Sequence, residues 1–496
     1  MAWTKLGSTT RASAGAMSLT DLTSKTFNQT MIHQIHNSQV LNYRIDNIST
    51  TTYAERLSDN GQTDTTNTSQ TELDTATSAT NDEFCVMYGF NEATEEKLFI
   101  SFIGGANTAG ATNAPRRREF VGKQTGTTNA YTRVDTVNSA NTDSNMSIIG
   151  TEGTEQTLDK ELLYTVRQDG VGGWVELGRT TLGGTSDTIS VTSLSDKRYY
   201  MYLMSLPLSG RVDHYHRLNG DTGTNYAYRR SIDGASDVTG TSVTGLLYGS
   251  QTVGDMAFNM GYISNLSANE KLVIHQHVDN QAGTGAVNAP RRIEGVGKHD
   301  QTSNPVTGLL TYNGDTGDYS SGAEVVVLGW DESDTHTNNF WEELYSDSQT
   351  GQTVDNIDSG TFTNKKYLWV QGWFKGTANT TVKMTFNNST DSTYAYRYSN
   401  NGGSDATGTS SANVVLHNTK ANATKFLNMF IVNDGSNEIL GIAHMVEDGG
   451  SGAASDPDRR ETVFKRSTTT AITDIEFDND DTGDFTDWEF KIWGAD

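Results

Sequence analysis

Apolar residues in this chain come in short bursts separated by turn formers. The segments "KYLWVQGWF", "YYMYLMSLPL" and "AEVVVLGW" are each of strand length and are bounded by Gly, Asn, Asp and Ser. Near the C-terminus, in "AITDIEFDNDDTGDFTDWEFKIWG", Ile472, Ile475 and Phe477 precede a polar turn and Phe485, Trp488, Phe490 and Trp493 follow it. That alternation predicts a β-hairpin. The stretch "VTGLLTYNGDTGDYSSGAEVVVLGW" has the same outline. No segment sustains a helical stripe; "NEATEEKLF" is the nearest, and it reads equally well as a turn.

The pattern recurs three times. "APRRREFVGK", "APRRIEGVGK" and "DPDRRETVFK" place Pro115, Pro290 and Pro457 at separations of 175 (290 − 115) and 167 (457 − 290). Each proline is followed by a Glu four residues on (Glu119, Glu294, Glu461) and a Lys eight on (Lys123, Lys298, Lys465). Upstream, Tyr53-Ala54-Glu55-Arg56, Tyr226-Ala227-Tyr228-Arg229 and Tyr394-Ala395-Tyr396-Arg397 align without a gap, as do "SDNGQTDTTNTS", "SIDGASDVTGTS" and "SNNGGSDATGTS". Trp3, Trp174 and Trp341 open the copies. The chain is an internal triplicate, with domains expected at 1–171, 172–338 and 339–496. Each is long enough for a core of its own, and no proline-rich linker separates them, so they should touch. The expected fold is all-β, three tandem antiparallel β-sandwich domains of jelly-roll-like type.

Charge narrows the partners. With 61 acidic against 36 basic residues and a net charge of −25, the chain lacks the basic surface that nucleic-acid binding and anionic membranes require. No apolar run approaches the ~20 residues of a membrane span, so no membrane insertion is expected. "MAWTKLGSTT" does not read as a signal peptide, which implies synthesis in a host cytoplasm without ordinary export. Cys85, the lone cysteine, sits among strand-like apolar neighbours and is expected to be a buried, inert thiol.

The Pro-Arg-Arg phrase is the strongest candidate site. Glu119, Glu294 and Glu461 stand one or two residues from the arginines, and the third copy has Asp458 where the others have Arg116 and Arg291. An anion cradle would not tolerate that. The expected role is structural: proline opens a strand or corner, alternation sends Arg117 and Glu119 to one face, and Arg292, Arg459, Arg56, Arg229 and Arg397 serve in ion pairs fastening each module internally.

Three further constellations have plainer readings. Asp478, Asp480, Thr482, Gly483 and Glu489 match the spacing of a calcium loop, but their flanks are strand-like, which favours a polar hairpin tip. His214 with His216, and His275 with His277, put four imidazoles where zinc or nickel could bind. Their counterparts are apolar: Leu41 and Tyr43 or Val382 and Met384 for the first pair, and Ile103 and Met445 for His277. Polar substitution on a half-buried face is the simpler account, and no metal or other cofactor is expected. Tyr367, Trp369 and Trp373 alternate on one face, as a sugar platform or a sheet-packing core would both require, and the core reading is preferred. No nucleophile elbow, zinc-protease helix or phosphate loop occurs, and no carboxylate has neighbours that mark it as an acid or base.

The segments "WVELGRTTLGGTSDTISVTSLSDKRYYMYLM" and "NGDTGTNYAYRRSIDGASDVTGTS" resemble repeats of structural proteins of marine tailed viruses, and the likeness extends over all three copies. It departs at "WTKLGSTTRASAGAMSLTDL" in the first copy. The resemblance implies a virion protein, a head decoration, vertex fibre or tail component, with no catalytic residue attached to the pattern. The expected function is therefore a non-enzymatic virion structural protein, located in the extracellular particle. Exposed sheet edges favour a homo-oligomer, and other virion proteins and a host surface glycan are the expected partners. The alternatives are a carbohydrate-active enzyme with glycan-binding modules and a cellular surface-layer protein.

Overall fold

The apolar bursts become the strands of three equivalent units in a computed structural model. It describes residues 3–35, 42–75, 82–151, 173–250, 256–280, 283–336, 338–378, 381–417, 423–479 and 483–496. The first expected domain boundary, at 171, lies outside the described residues. So do Leu41, Asp480 and Thr482.

The first unit contains β1 (Thr4–Thr10), β2 (Ser18–Leu19), β3 (Phe27–Gln34), β4 (Asn42–Ile45), β5 (Tyr53–Asp59), β6 (Thr65–Gln70), β7 (Leu73–Asp74), β8 (Glu83–Phe90), β9 (Lys97–Gly105), β10 (Arg116–Gln124), β11 (Val134–Val137) and β12 (Asn145–Thr151). They form an eight-stranded sheet of order β1-β12-β3-β8-β9-β10-β5-β6 and a four-stranded sheet of order β2-β11-β4-β7. The second unit (Val175–Thr181 through Glu324–Trp330) and the third (Glu342–Gln349 through Phe485–Ala495) repeat both orders strand for strand. Every pairing is antiparallel, and no helix occurs among the described residues.

Several strands are buried at every residue, β3, β8 and β9 among them. The cause is that each eight-stranded sheet is covered on both faces. One face packs on the unit's own four-stranded sheet: Tyr43 and Ile45 from β4 and Val134 from β11 share a core with Cys85, Met87, Phe99 and Ile103. The repeated Tyr-Ala phrase latches these layers, since the hydroxyls of Tyr53, Tyr226 and Tyr394 accept the backbone N–H of Ile45, Leu218 and Phe386 at 3.1, 3.0 and 2.8 Å. Cys85 is buried as expected; burial pushes its thiol up to about 12, and its Sγ lies 3.2 Å from Ser101 Oγ.

The other face is shared. A single apolar core draws on all three units, stacking Ile100, Ile274 and Ile442 against Val121, Val296 and Val463 around a pseudo-threefold axis. The tryptophans that open the copies plug it. Trp3 stacks on Trp369 of the third unit with centroids 4.2 Å apart, Trp174 donates to Gln29 of the first unit at 3.0 Å, and Trp341 meets Trp369 edge-on. Trp369 and Trp373 therefore belong to a core and not to a sugar platform.

One junction carries a titratable group with a clear consequence. His33 on β3 faces Ser264 of the second unit and is wholly buried; burial, then Arg198 and Lys271, lower its pKa from 6.5 to about 3. The unfolded chain takes up this proton first, so stability from His33 is complete above pH 6.5, declines as pH falls below it, and levels off near 3. Each pH unit in that window removes about 1.4 kcal/mol. Urea midpoints at pH 7, 5 and 4 should fall more steeply for the parent than for His33→Gln, and parallel lines would refute the assignment.

Candidate functional site

The site is built from the triplicated Pro-Arg-Arg phrase, and its parts come from all three units. It begins with the aligned turns. Asn60-Gly61, Asp233-Gly234 and Asn401-Gly402 all have positive φ, from 50° to 69°, as the two central residues of a type I′ turn demand. The side chains of Asn60, Asp233 and Asn401 accept the backbone N–H of Arg117, Arg292 and Arg459 at 3.0, 2.9 and 2.8 Å. The glycines leave room for a carboxylate from the next unit: a Cβ on Gly61, Gly234 or Gly402 would lie 2.1–2.3 Å from Asp237, Asp405 or Asp64.

Those aspartates receive the arginines in fork geometry. Arg117 donates through Nη2 and Nε to Asp237 at 2.7 and 3.3 Å; Arg292 to Asp405 and Arg459 to Asp64 repeat both distances. The first unit thus grips the second, the second the third, and the third the first. The remaining nitrogen, Nη1, turns to the axis. Arg117 meets Glu119 there and approaches Glu294 at 3.8 Å; Arg292 lies 2.6 Å from Glu294 and 2.7 Å from Glu461; Arg459 meets Glu461 and, at 3.1 Å, Glu119. Three guanidiniums and three carboxylates alternate in a closed ring, and all six side chains are buried.

A second circuit surrounds the first. Arg229, Arg397 and Arg56 each donate through Nε to the carbonyl of the neighbouring unit's proline, Pro115, Pro290 and Pro457, at 2.8 Å in every case. Lys123 binds the carbonyls of Asp448 and Gly450, Lys298 those of Ala106 and Thr108, and Lys465 that of Gly283. The same loops cap the outer sheet edges: Ser69, Ser242 and Ser410 donate their N–H to Ala453, Ala111 and Ala286 at 2.7 Å. These bonds cover one of the two edges of each eight-stranded sheet from within the chain.

The sequence placed Arg117 beside Glu119, and the structure brings them together. It expected the arginines to fasten each module internally; instead Arg56, Arg229 and Arg397 reach across to a neighbour, and the forks of Arg117, Arg292 and Arg459 do the same. Strand alternation reveals which side chains share a face but not what lies opposite. The partners Asp64, Asp237 and Asp405 were visible only as an acidic residue held in register within aligned polar turns.

Electrostatics in the ring are uneven. Burial works against ionisation of Glu294, but Arg292 and the neighbouring His444 outweigh it and hold the carboxyl well below its usual range. Burial drives Glu461 the other way, and the nearby Glu294 and Glu119 reinforce it against Arg459. The three glutamates bring one oxygen each within 4.8 Å of the others, a spacing a cation could bridge. A guanidinium Nη1 already stands between successive carboxylates, however, so an added cation would face three like charges. The arrangement fits an ion-pair lock better than a metal centre.

The other sequence candidates are dispersed. Glu489 lies in a buried stretch of the eight-stranded sheet, where burial pushes its carboxyl up to about 7, whereas Asp478 belongs to the four-stranded sheet of the same unit. Glu55 is likewise buried and raised to about 7, with Asn67 and the backbone N–H of Asp74 as its partners at 2.8 Å.

No protein-family model and no curated protein matches the sequence. Among solved structures, the vanillate complex of Pseudomonas aeruginosa OpdK shares 8% identity over 94% of this chain and 97% of that one, with a TM-score of 0.13. Ail, the attachment invasion locus protein of Yersinia pestis, shares 7% identity over 57% and 99%, with a TM-score of 0.09. Likeness at that level carries no argument about fold or function. No helix among the described residues is long and apolar enough to cross a membrane.

Proposed function

We propose that the chain is a non-enzymatic structural protein of a virion, a head decoration, vertex fibre or tail component, built as a single-chain pseudo-trimer. The observation that carries this reading is the repetition of the polar core. An enzyme concentrates its unpaired buried carboxylates in one unit, because one set of reacting groups suffices. Here the buried arginines, glutamates and lysines recur in all three units with the same partners, and their chemistry is spent on holding neighbours together.

The strand order supports a jelly-roll-like sandwich for each unit. Without the hairpins β5-β6 and β9-β10, the first unit reduces to β1-β12-β3-β8 facing β2-β11-β4-β7, two four-stranded sheets between which the chain alternates. That topology is common in capsid and lectin domains, and it suits a particle surface that meets other virion proteins and a host glycan. The exterior agrees: among the described residues, the exposed large apolar side chains are Val238, which opens a strand, and Val287, which lies in a turn.

Electron microscopy of the purified full-length chain tests the proposal. A regular assembly of three-lobed subunits, as lattice, ring or fibre, is the expected result. Dispersed particles that hydrolyse a polysaccharide would reject it in favour of an enzyme with glycan-binding modules.

A further inference from the structure

In the first unit an ion-pair cluster ties the eight-stranded sheet to the edge of the four-stranded one. Arg118 on β10 stands opposite Asp59 of β5, donates to it through Nε at 2.6 Å and Nη2 at 2.8 Å, and meets Asp74 of β7 through Nη1 at 2.8 Å. Arg460 holds the same place on the strand Asp458–Arg466, but the residue opposite it is Asn400, and Val415 takes the position of Asp74. The second unit has Ile293 opposite Ile232 and so carries no charge at this pair. The third unit thus has the guanidinium without either of its acids.

What remains around Arg460 matches it poorly. Its Nη2 donates to the carbonyl of Val415 at 2.8 Å, while Nε and Nη1, the counterparts of the nitrogens that meet Asp59 and Asp74 in the first unit, have no partner among the described residues. The side chain is only 1% exposed. Burial works against the charge of both arginines. Asp59 and Asp74 more than offset it at Arg118, whereas at Arg460 it prevails over Tyr398 and Tyr396 and lowers the pKa to about 10. A buried guanidinium with bare nitrogens is costly, and a carboxylate matches it in fork geometry.

The position those acids take lies at the surface. The side chains of Asp59 and Asp74 are 42% and 32% exposed in the first unit, and in the third Asn400 is exposed and Val415 half-buried. Tyr396 and Tyr398, both half-buried, stand beside Arg460 with ring centroids 6.0 Å apart, and Tyr398 lies over the guanidinium at 3.7 Å. A partly exposed ring changes rotamer faster than ligands bind, so Tyr398 is a cover that a ligand can displace. Aromatic rings beside one fixed charge are the makings of a small-ligand site, and they suit the apolar face of a sugar. With 61 acidic against 36 basic residues the chain repels polyanions, so one carboxylate on a neutral body fits better than an acidic peptide. We propose that Arg460, with Tyr396 and Tyr398, forms a seat in the third unit for the carboxylate of an acidic sugar such as a uronate. It rests on the host-glycan contact proposed above and narrows that contact to one class of ligand.

Calorimetric titration of the full-length chain with methyl glucuronide and methyl glucoside, which differ only in the carboxylate, tests the seat. The glucuronide should bind saturably at one site per chain, and the glucoside about 10- to 100-fold more weakly, the worth of hydrogen bonds to a charged group. Arg460→Ile installs the residue of the second unit and Val415→Asp the acid of the first, so both should fold, as circular dichroism will check, and both should abolish binding. Val415→Asp should also raise the melting temperature, because it supplies the guanidinium with a partner. A silent glucuronide titration, equal affinity for the glucoside or for acetate, or a folded Arg460→Ile chain that still binds overturns the seat. Should Arg460→Ile not fold, binding retained by Val415→Asp overturns it instead. The readout is independent of assembly: a silent titration beside a regular assembly in the microscope removes only the seat, whereas saturable binding by particles that do not assemble keeps the seat and removes the virion reading.

Discussion

Arg292→Ala should cost the full-length chain about 3–5 kcal/mol, because removing one partner of a buried ionic network strands the others in a medium of low polarity. Three carboxylates lose a partner at once: Asp405 at 2.7 Å, Glu294 at 2.6 Å and Glu461 at 2.7 Å. The natural control is Arg211, whose pair with Asp315 is also 2.7 Å long but whose side chain is 51% exposed. Solvent screening limits such a pair to about 0–1 kcal/mol. Urea unfolding followed by tryptophan fluorescence should therefore separate Arg292→Ala from Arg211→Ala widely. Equal losses would mean that the axial ring is ornamental.

The second large effect concerns cooperativity. Each unit has a core of its own, as its length implied, but the eight-stranded sheets also share a fourth core that belongs to none of them. Cutting the chain into units would expose Tyr199, Met201, Tyr262, Ile274, Leu328 and Trp330 of the second unit on one face. Exposing a large apolar side chain costs about 1.5–3 kcal/mol. A handful of them equals the entire net stability of a domain, about 5–15 kcal/mol. Residues 173–336 expressed alone should bind a hydrophobic dye and melt without a sharp transition, whereas the whole chain should give a single calorimetric peak. Three separable peaks, or a well-folded excised unit, would contradict a shared core.

Much of this architecture is legible in the residues. Short apolar bursts between Gly, Asn and Asp turns read as strands, and no helix occurs among the described residues. The register of Pro115, Pro290 and Pro457 with the Glu and Lys that follow marks three copies, and those residues do occupy equivalent places. What could not be read is the direction of the bonds. A repeated Arg-Glu pattern is compatible with pairing inside a copy or between copies, since the side-chain period of a strand specifies a face and not its occupant. The same gap hid the shared core. "EFCVMYGF" is apolar on both faces, a hint that both sides of its sheet are covered, but nothing local says by what. The histidines were visible as two pairs, yet the contact of His214 with His277 depends on two sheets laid face to face.

Closure of the ring within one polypeptide has an evolutionary corollary. In a trimer of identical chains every substitution appears three times, so no junction can change without its symmetry mates. Here each junction is encoded separately: His33 faces Ser264 at the first, while the strand alignment puts Ser205 and Trp373 in the place of His33 in the other two copies. Dilution cannot separate the lobes either, since their encounter is intramolecular and independent of protein concentration. One lobe is thereby free to acquire a speciality while the other two keep the shared body intact.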